Sequence, residues 1–532
     1  MAEEPAGKGF YVRQATGLVR EIGMGSNVAL NVSFISLPLA ALAATQAPYA
    51  FPGSNLVLAV VITAILCILP TLLYGNLGTA MPRSGGDYVF VSRIIQPVVG
   101  FAANFSVTMW FLLVIALFGS LLAPFGLSAA LATIGVASGN EGLLEASATV
   151  TSQGWQFWLG VSALVLTALL MSFSVRSWTK IFLVIFALSV VGVVIAVVLM
   201  LLHGRADFQT ALSGFGADYD GIIQAARDAG YTGGAEFSLT NTFGATPLLF
   251  ASFGYAIVTT YAAGEIRAPR RTLLRALLTA LGISAVIVLI MMWLASRSFG
   301  EDFLGSITFL ANEAPDQYPL SAPPFFFLFA AMLTSNTFLI AVMGISFALS
   351  FFVALPPTFL IATRSLFAWS FDRILPAKIS EVNERTHSPL IANGIVLLIT
   401  LIFLWLTVYG PSQFLELLFT AGAAEILTFI VVAIAAAIFP WRRRTMYEES
   451  PIRANIGGIP TIAIIGFLSI GVYLLFLIPL LVNDALGANA TPGIVAIVVI
   501  ALLPFVIYAV SYAVNRSRGV DLGVAFQELP PE

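Results

Sequence analysis

Apolar runs separated by short polar, proline or glycine breaks fill the chain from residue 22 to residue 514, and each is close to the length an α-helix needs to cross a hydrocarbon core, about 20 residues. The pattern predicts twelve spans. They cover 22–44, 56–81, 98–122, 155–173, 181–202, 246–264, 273–295, 329–352, 390–408, 414–439, 459–482 and 494–514. The fold class that follows is an all-α polytopic membrane protein of about 12 transmembrane helices. An even number of spans places both termini on one side.

Composition agrees with this reading. The 532 residues are 59% hydrophobic and 10% charged, too little charge to cover a soluble fold of this length. The net charge of −3 says little, but the positions of the charges say more. With the termini in the cytoplasm, all 24 Lys and Arg except Arg205, Arg227 and Arg297 fall on the inner side, as basic residues of membrane proteins do. The expected location is the cell membrane, multi-pass, with both termini cytoplasmic. The first 21 residues are polar and mixed in charge, without the short apolar core of a cleavable signal, and read as a cytoplasmic tail. The longest outer loop, 204–245, is rich in Gly, Asp and aromatic residues and has room for a short amphipathic helix.

Other function classes drop out on chemistry. The single cysteine, Cys67, lies in an apolar run, so an intramolecular disulfide is excluded, and two histidines, His203 and His387, are too few for a histidine-rich metal site. No Gly-rich loop ending in Lys-Ser/Thr is present to bind a nucleotide and power primary transport. An enzyme, a cofactor and a nucleic-acid partner are therefore not expected. The expected partners are the lipid bilayer and a small-molecule substrate.

Three motifs carry a resemblance. Between the second and third spans runs YGNLGTAMPRSGGDYVFVSR, in which Pro82 ends a helix, Gly85 and Gly86 permit a tight reversal, and Asp87 starts the next short helix as a cap or first-turn anion. After the sixth span comes LLFASFGYAIVTTYAAGEIRAPRRTLLRAL, with an aromatic-Gly step followed by Glu-x-x-x-Pro, and after the eighth comes ATRSLFAWSFDRILPAKISEVNERTHSP. Together they resemble the amino acid, polyamine and organocation (APC) superfamily of secondary transporters over roughly residues 10–440. The third motif departs from the family pattern in having Arg364-Ser365 and Asp372-Arg373.

The resemblance implies a LeuT-like architecture: inverted five-helix repeats at 22–203 and 246–440 around an outer loop at 204–245, an inner loop at 441–458, helices 11 and 12 in 459–514, and tails at 1–21 and 515–532. It also implies that the first helix of each repeat is broken near the membrane midplane, freeing backbone groups for substrate. In the first span Asn31, Val32 and Ser33 align with the unwound segment, ahead of Pro38, but the family's glycines are missing. The two polar side chains then either contact substrate or satisfy backbone groups locally. In the sixth span Phe250, Ala251, Ser252, Phe253 and Gly254 align with the matching break, Gly254 supplying unusual torsions and Phe253 either closing over substrate or simply packing.

Glu425 lies mid-way along the tenth span. An unpaired carboxylate there costs about 2.5 to 3.5 kcal/mol, so it has to face a cavity, find a partner or bind a proton. Three readings stand side by side: a proton carrier, a ligand for a cationic amine, or a packing carboxyl bonded to neighbouring helices. Some proton-coupled relatives carry a lysine midway along the fifth span, where this chain has Ser189, so that device is not expected. The coupling ion is a proton or sodium, and Ser346 and Ser350 on the eighth span are the sodium candidates. At the inner end of the sixth span, Glu265 is expected to pair with Arg364 or Arg20, either as a latch that breaks when the carrier opens or as a surface ion pair. The function expected is secondary active transport of amino acids or related amines, proton-coupled or by exchange. A polyamine or organic-cation carrier and a non-transporting sensor of the same fold are the alternatives.

Overall fold

The computed structural model describes residues 17–35, 37–234, 236–411, 413–482, 491–519 and 526. The expectations for the N-terminal tail up to residue 16, and for most of the C-terminal tail, lie outside that set. Among the described residues eleven helices are long and apolar enough to span a membrane: Met24–Ala50, Leu56–Ala80, Pro97–Ser138, Gln153–Met171, Val175–Leu202, Pro269–Ser298, Thr337–Phe371, Leu390–Tyr409, Ala421–Arg442, Thr461–Val482 and Ile497–Ser517. They correspond to eleven of the twelve expected spans, and the protein is an all-α polytopic membrane protein. Its one described sheet is a two-stranded hairpin pairing Asn455–Ile456 with Ile459–Pro460.

The twelfth is the sixth span. Here the chain is helical only over Thr246–Phe253, passes through four turn residues, and continues as 3-10 turns at Val258–Tyr261 and Ala263–Glu265. The run Val258-Thr259-Thr260 is β-branched and disfavours an α-helix. Irregular backbone at membrane depth survives only when protein surrounds it and its polar groups find partners. Both conditions are met, since residues 252–266 are buried and neighbouring loops supply bonds. Gly85 N donates to the Tyr261 carbonyl at 2.8 Å, Ile22 N to the Glu265 carbonyl at 2.9 Å, and Arg267 N to the Ile22 carbonyl at 2.9 Å.

One predicted boundary is corrected. The eighth span was expected at 329–352, but the helix runs Thr337–Phe371 and is preceded by a separate short helix, Phe326–Met332. Asn336 explains the division: its Oδ1 accepts from the backbone N–H of Phe338 at 3.0 Å and of Leu339 at 3.2 Å, an N-cap inside what reads as a continuous apolar run. The helix then continues past Pro356 and Pro357 to Phe371. The long loop after the fifth span does form short helices, Arg205–Gly214, Tyr219–Asp228 and Leu239–Gly244. It is fastened to the spans: Tyr231 donates to the Pro48 carbonyl, Tyr219 to the Phe299 carbonyl, both at 2.7 Å, and Arg227 reaches Asp302 at 3.2 Å.

The spans pack so that the broken sixth lies inside. The third packs against the eighth and tenth, the tenth against the eleventh, the fifth against the eighth, and the first and second against the seventh. Thr428 fastens the tenth span to the third by donating to the Ala103 carbonyl at 2.8 Å. The first, second, seventh, eighth and eleventh spans pack directly against the sixth-span segment, and rings of the third and tenth reach it at Tyr255.

Candidate functional site

The break begins at Gly254, but not for the torsional reason the sequence suggests. Its φ of −62° and ψ of −19° are open to any residue. Space decides instead: a Cβ at Gly254 would lie 2.4 Å from Cε2 and Cζ of the Phe250 ring, so the ring folds back over the glycine. Gly254→Ala is therefore expected to displace Phe250 and lower stability by about 1–3 kcal/mol, the usual penalty for overpacking, seen as a lower melting temperature. Trimming the ring with Phe250→Leu in the same chain should recover part of the loss. If the double variant lost the two single effects added together, the steric account would fail.

Immediately after Gly254 comes Tyr255, the residue that organises the site. Its hydroxyl donates a short hydrogen bond to Oε2 of Glu425, near the middle of the tenth-span helix, and both residues are buried. Glu425 Oε1 has no partner among the protein atoms and is equally buried. A charge-assisted bond of this kind contributes about 1.5–3 kcal/mol, and it leaves half the carboxylate unanswered.

Aromatic rings surround the pair. Tyr255 stacks on Trp110 of the third span with centroids 4.8 Å apart at 18°, and meets Phe34 of the first span edge-on at 5.1 Å. Phe111 lies 5.8 Å from it, Phe250 5.9 Å and Phe429 6.2 Å. Phe429 is one turn beyond Glu425 on the same helix and contacts Tyr74 of the second span and Tyr473 of the eleventh, at 5.7 and 5.5 Å. A buried carboxylate held by a tyrosine inside an aromatic cluster suits an organic cation, because ammonium groups are attracted both to negative charge and to π-faces.

The first span differs from its expected form. Asn31, Val32 and Ser33 are helical, within Met24–Ile35, rather than unwound. Ser33 Oγ donates to the Leu30 carbonyl at 3.0 Å, and Asn31 Nδ2 donates to the Asn27 carbonyl at 2.8 Å, bonds that fit a helix. Asn31 Nδ2 also donates to Thr259 Oγ1 at 2.8 Å, and Thr259 Oγ1 donates to Asn27 Oδ1 at 2.6 Å, all three residues being fully buried. The polar residues of the first span thus hold the irregular segment of the sixth. Val32 is buried beside them. Ser36 lies outside the described residues, and Pro38 is described only as part of the helix Leu37–Ala50.

Of the other residues aligned with the sixth-span break, Phe253 and Ser252 are fully buried, and Ser252 Oγ has no hydrogen-bond partner. Ala251 is described only as part of the helix Thr246–Phe253. Phe250, not Phe253, contacts the aromatic group, packing 4.5 Å from Phe476 as well. On the eighth span Ser350 Oγ bonds back to the Phe347 carbonyl of its own helix at 2.8 Å, while Ser346 packs against Gly192 of the fifth span. Ser189 likewise bonds its own helix, at the Phe186 carbonyl. Among the described residues no group of three or more His, Cys, Asp or Glu is placed to hold a metal ion.

At the end of the molecule where the arginines gather, Glu265 and Arg364 meet in a buried two-pronged ion pair. Arg364 Nε reaches Glu265 Oε1 at 2.5 Å and NH2 reaches Oε2 at 2.9 Å, linking the sixth-span break to the eighth span. Arg20 is exposed on the stretch before the first helix. A second buried pair lies close by in sequence to the Ser-Gly-Gly motif: Arg93 NH2 is 2.7 Å from Asp372 Oδ2, which also accepts from the Tyr88 hydroxyl at 2.7 Å.

Asn27, Trp110, Tyr255, Thr259 and Phe429 were not singled out from the sequence. Two of them left a signal: Asn27 sits four residues before Asn31 on the same helical face of an apolar span, and Tyr255 directly follows the aromatic-Gly step. Trp110, Thr259 and Phe429 acquire meaning only through contacts across spans.

The family model for amino acid permease matches residues 22–513, nearly the whole of the membrane-embedded chain. No curated protein shows significant sequence similarity to it.

Proposed function

The chain belongs to the amino acid permease family, and on that premise we propose that it is a secondary active transporter that carries an amino acid or a related amine across a cell membrane by alternating access. The observation that carries this reading is Glu425, buried mid-span, with one oxygen capped by Tyr255 and the other unpartnered among aromatic rings. In the proposal the substrate ammonium pairs with Glu425 Oε1 and lies against the rings. The same sixth-span backbone carries Tyr255 at the site and Glu265 at the arginine-rich end, so a change at one is felt at the other. Alternating access then amounts to opening and closing the Glu265–Arg364 contact while the substrate occupies the middle. The basic ends of the spans face the cytoplasm in this reading, as the charge distribution predicts.

An organic-cation or polyamine carrier is the second reading, favoured by one observation: the Asn31 amide is occupied by Asn27 and Thr259 within an intact helix segment, where unwound backbone would otherwise receive a substrate carboxylate. Both readings are tested by uptake of labelled amino acids and amines into proteoliposomes under separate proton and sodium gradients. The transporter reading expects accumulation of at least one amine-bearing compound above its outside concentration under a gradient or by exchange. Equilibration without accumulation would indicate a channel, and no movement of any compound would point to a sensor. Uptake of amines together with rejection of their amino-acid counterparts would select the second reading.

A further inference from the structure

We propose that Asp87 is a proton-binding site of this carrier, a carboxyl whose protonation closes the loop between the second and third spans onto the broken sixth span; the proposal rests on the transporter reading above.

Asp87 is fully buried at the start of the short helix Asp87–Ile94. Its Oδ1 accepts from Asn104 Nδ2 at 2.6 Å and from the Tyr88 backbone N–H at 3.1 Å, and Asn104 is itself held by Trp369 Nε1 at 2.7 Å. Its Oδ2 is buried and unpartnered. Facing it is the hydroxyl of Tyr261, which does not close a well-formed hydrogen bond to it and is also buried without a partner, as is the hydroxyl of Tyr74. The glycine before Asp87 fixes this arrangement, because Gly86 has a φ of +53° and a Cβ there would lie 2.8 Å from the Tyr261 ring. Gly85 N donates to the Tyr261 carbonyl, and Ser84 bridges to Ala262, so the loop and the break are joined at the point where the carboxyl sits.

Among the described residues no cation pairs with Asp87, and Arg83, four residues before it on the same loop, reaches the Pro82 carbonyl at 3.2 Å. Arg93, on its own short helix, is taken by Asp372 of the eighth span and by Ser92. Tyr88 donates to the same Asp372. The second span presents Tyr74, the sixth Tyr261 and the tenth Glu425, whose carboxylate is within electrostatic reach of Asp87 and like it in charge. The third span presents only the neutral Asn104. Burial accordingly pushes the Asp87 carboxyl up to about 7, against the opposing effect of its hydrogen bonds.

The proton balance is simple. In the closed arrangement Oδ2 takes one proton from water at the arginine-rich end, the carboxylate becomes a neutral carboxyl, and its O–H points to the Tyr261 oxygen; on opening, hydration of Asp87 returns the proton to that water. The closed form holds its proton up to about pH 7, whereas a hydrated Asp87 releases it near its ordinary value of 3.8. Closure is therefore favoured most below that ordinary value, weakens as pH rises towards about 7, and changes no further above it. Because opening at this end is part of the transport cycle, a proton bound here is coupled to substrate movement.

The test uses Ala262→Cys in the full-length Cys67→Ala protein, reconstituted in liposomes without substrate. A membrane-impermeant maleimide is the probe, and its rate at each pH is divided by the rate for the denatured protein at that pH. Labelling about fivefold faster at pH 8 than at pH 5 is expected, within the ordinary range of coupling between sites. Asp87→Asn, which is always neutral, should label slowly at both pH values, and Tyr261→Phe should move the midpoint while preserving the fold. Labelling independent of pH in the parent protein, or a pH response that survives unchanged in both variants, would overturn the proposal. Because no substrate is used, a failure here is distinct from failure of the transporter reading, which shows as absent uptake of every amine in the proteoliposome screen.

Discussion

Glu425→Gln is expected to reduce uptake of the amine substrate by about 100-fold, equivalent to about 2.7 kcal/mol of lost binding, while leaving the fold intact. The substitution keeps the volume of the side chain and an oxygen able to accept from Tyr255, so the bond between the sixth and tenth spans is retained. What it removes is the negative charge opposite the ammonium, and in a buried site little else compensates. The melting temperature should be unchanged or slightly raised, since a carboxylate no longer has to be kept from water. Uptake and melting together separate the roles: loss of uptake with an unaltered melt supports the amine ligand, and loss of both would recast Glu425 as a packing residue. Uptake within threefold of the native protein would reject the ligand role.

A larger effect on stability is expected at the other end of the same backbone. Glu265→Ala leaves the Arg364 guanidinium buried with no carboxylate in place, and breaking a buried pair in this way costs about 3–5 kcal/mol. The loss should exceed that of Gly254→Ala. Exchanging the charges, Glu265→Arg with Arg364→Glu, is expected to recover part of the stability, although the backbone bond from Ile22 N to the Glu265 carbonyl limits how far the longer side chain can adapt. If the pair also acts as a latch, the exchanged protein should regain some transport where each single reversal has none. A Glu265→Ala protein with native melting and native transport would dispose of both roles.

How much of this was readable beforehand depends on whether the information was local. The spans were legible because lipid demands about 20 apolar residues per crossing, and the charge pattern around them is one-dimensional. The start of the eighth span was misplaced because the Phe-rich segment 323–333 is as apolar as the helix after it, and only the cap at Asn336 divides them. Asn31 and Ser33 were placed in an unwound segment by alignment to a pattern whose glycines this chain lacks. With side chains that bond back to their own helix, the segment stays helical. Gly254 reads from the sequence as a source of unusual torsions, but its backbone is ordinary, and what excludes a side chain there, the Phe250 ring folded over it, is a three-dimensional fact.

The site itself shows the same division. Glu425 stood out because a carboxylate in the middle of an apolar run has few explanations. Its partner Tyr255 lies 170 positions away in the chain, and the walls formed by Trp110, Phe34 and Phe429 come from three further stretches. Asp87 was read as the first residue of a short helix, which it is, and nothing local indicated that it would be buried facing Tyr261.

The central claim is that a substrate ammonium pairs with Glu425 inside the ring of aromatic side chains. It is tested most directly by competition between matched compounds, each accepted amine against its N-acetylated form, in the proteoliposome uptake assay. The acetylated compounds lose the charge and carry an added acetyl group whose bulk is the same for both proteins, so they are expected to compete at least about 100-fold more weakly, and Glu425→Gln should narrow the gap to within tenfold. Equal competition by the amine and its N-acetyl form in the native protein would contradict the account.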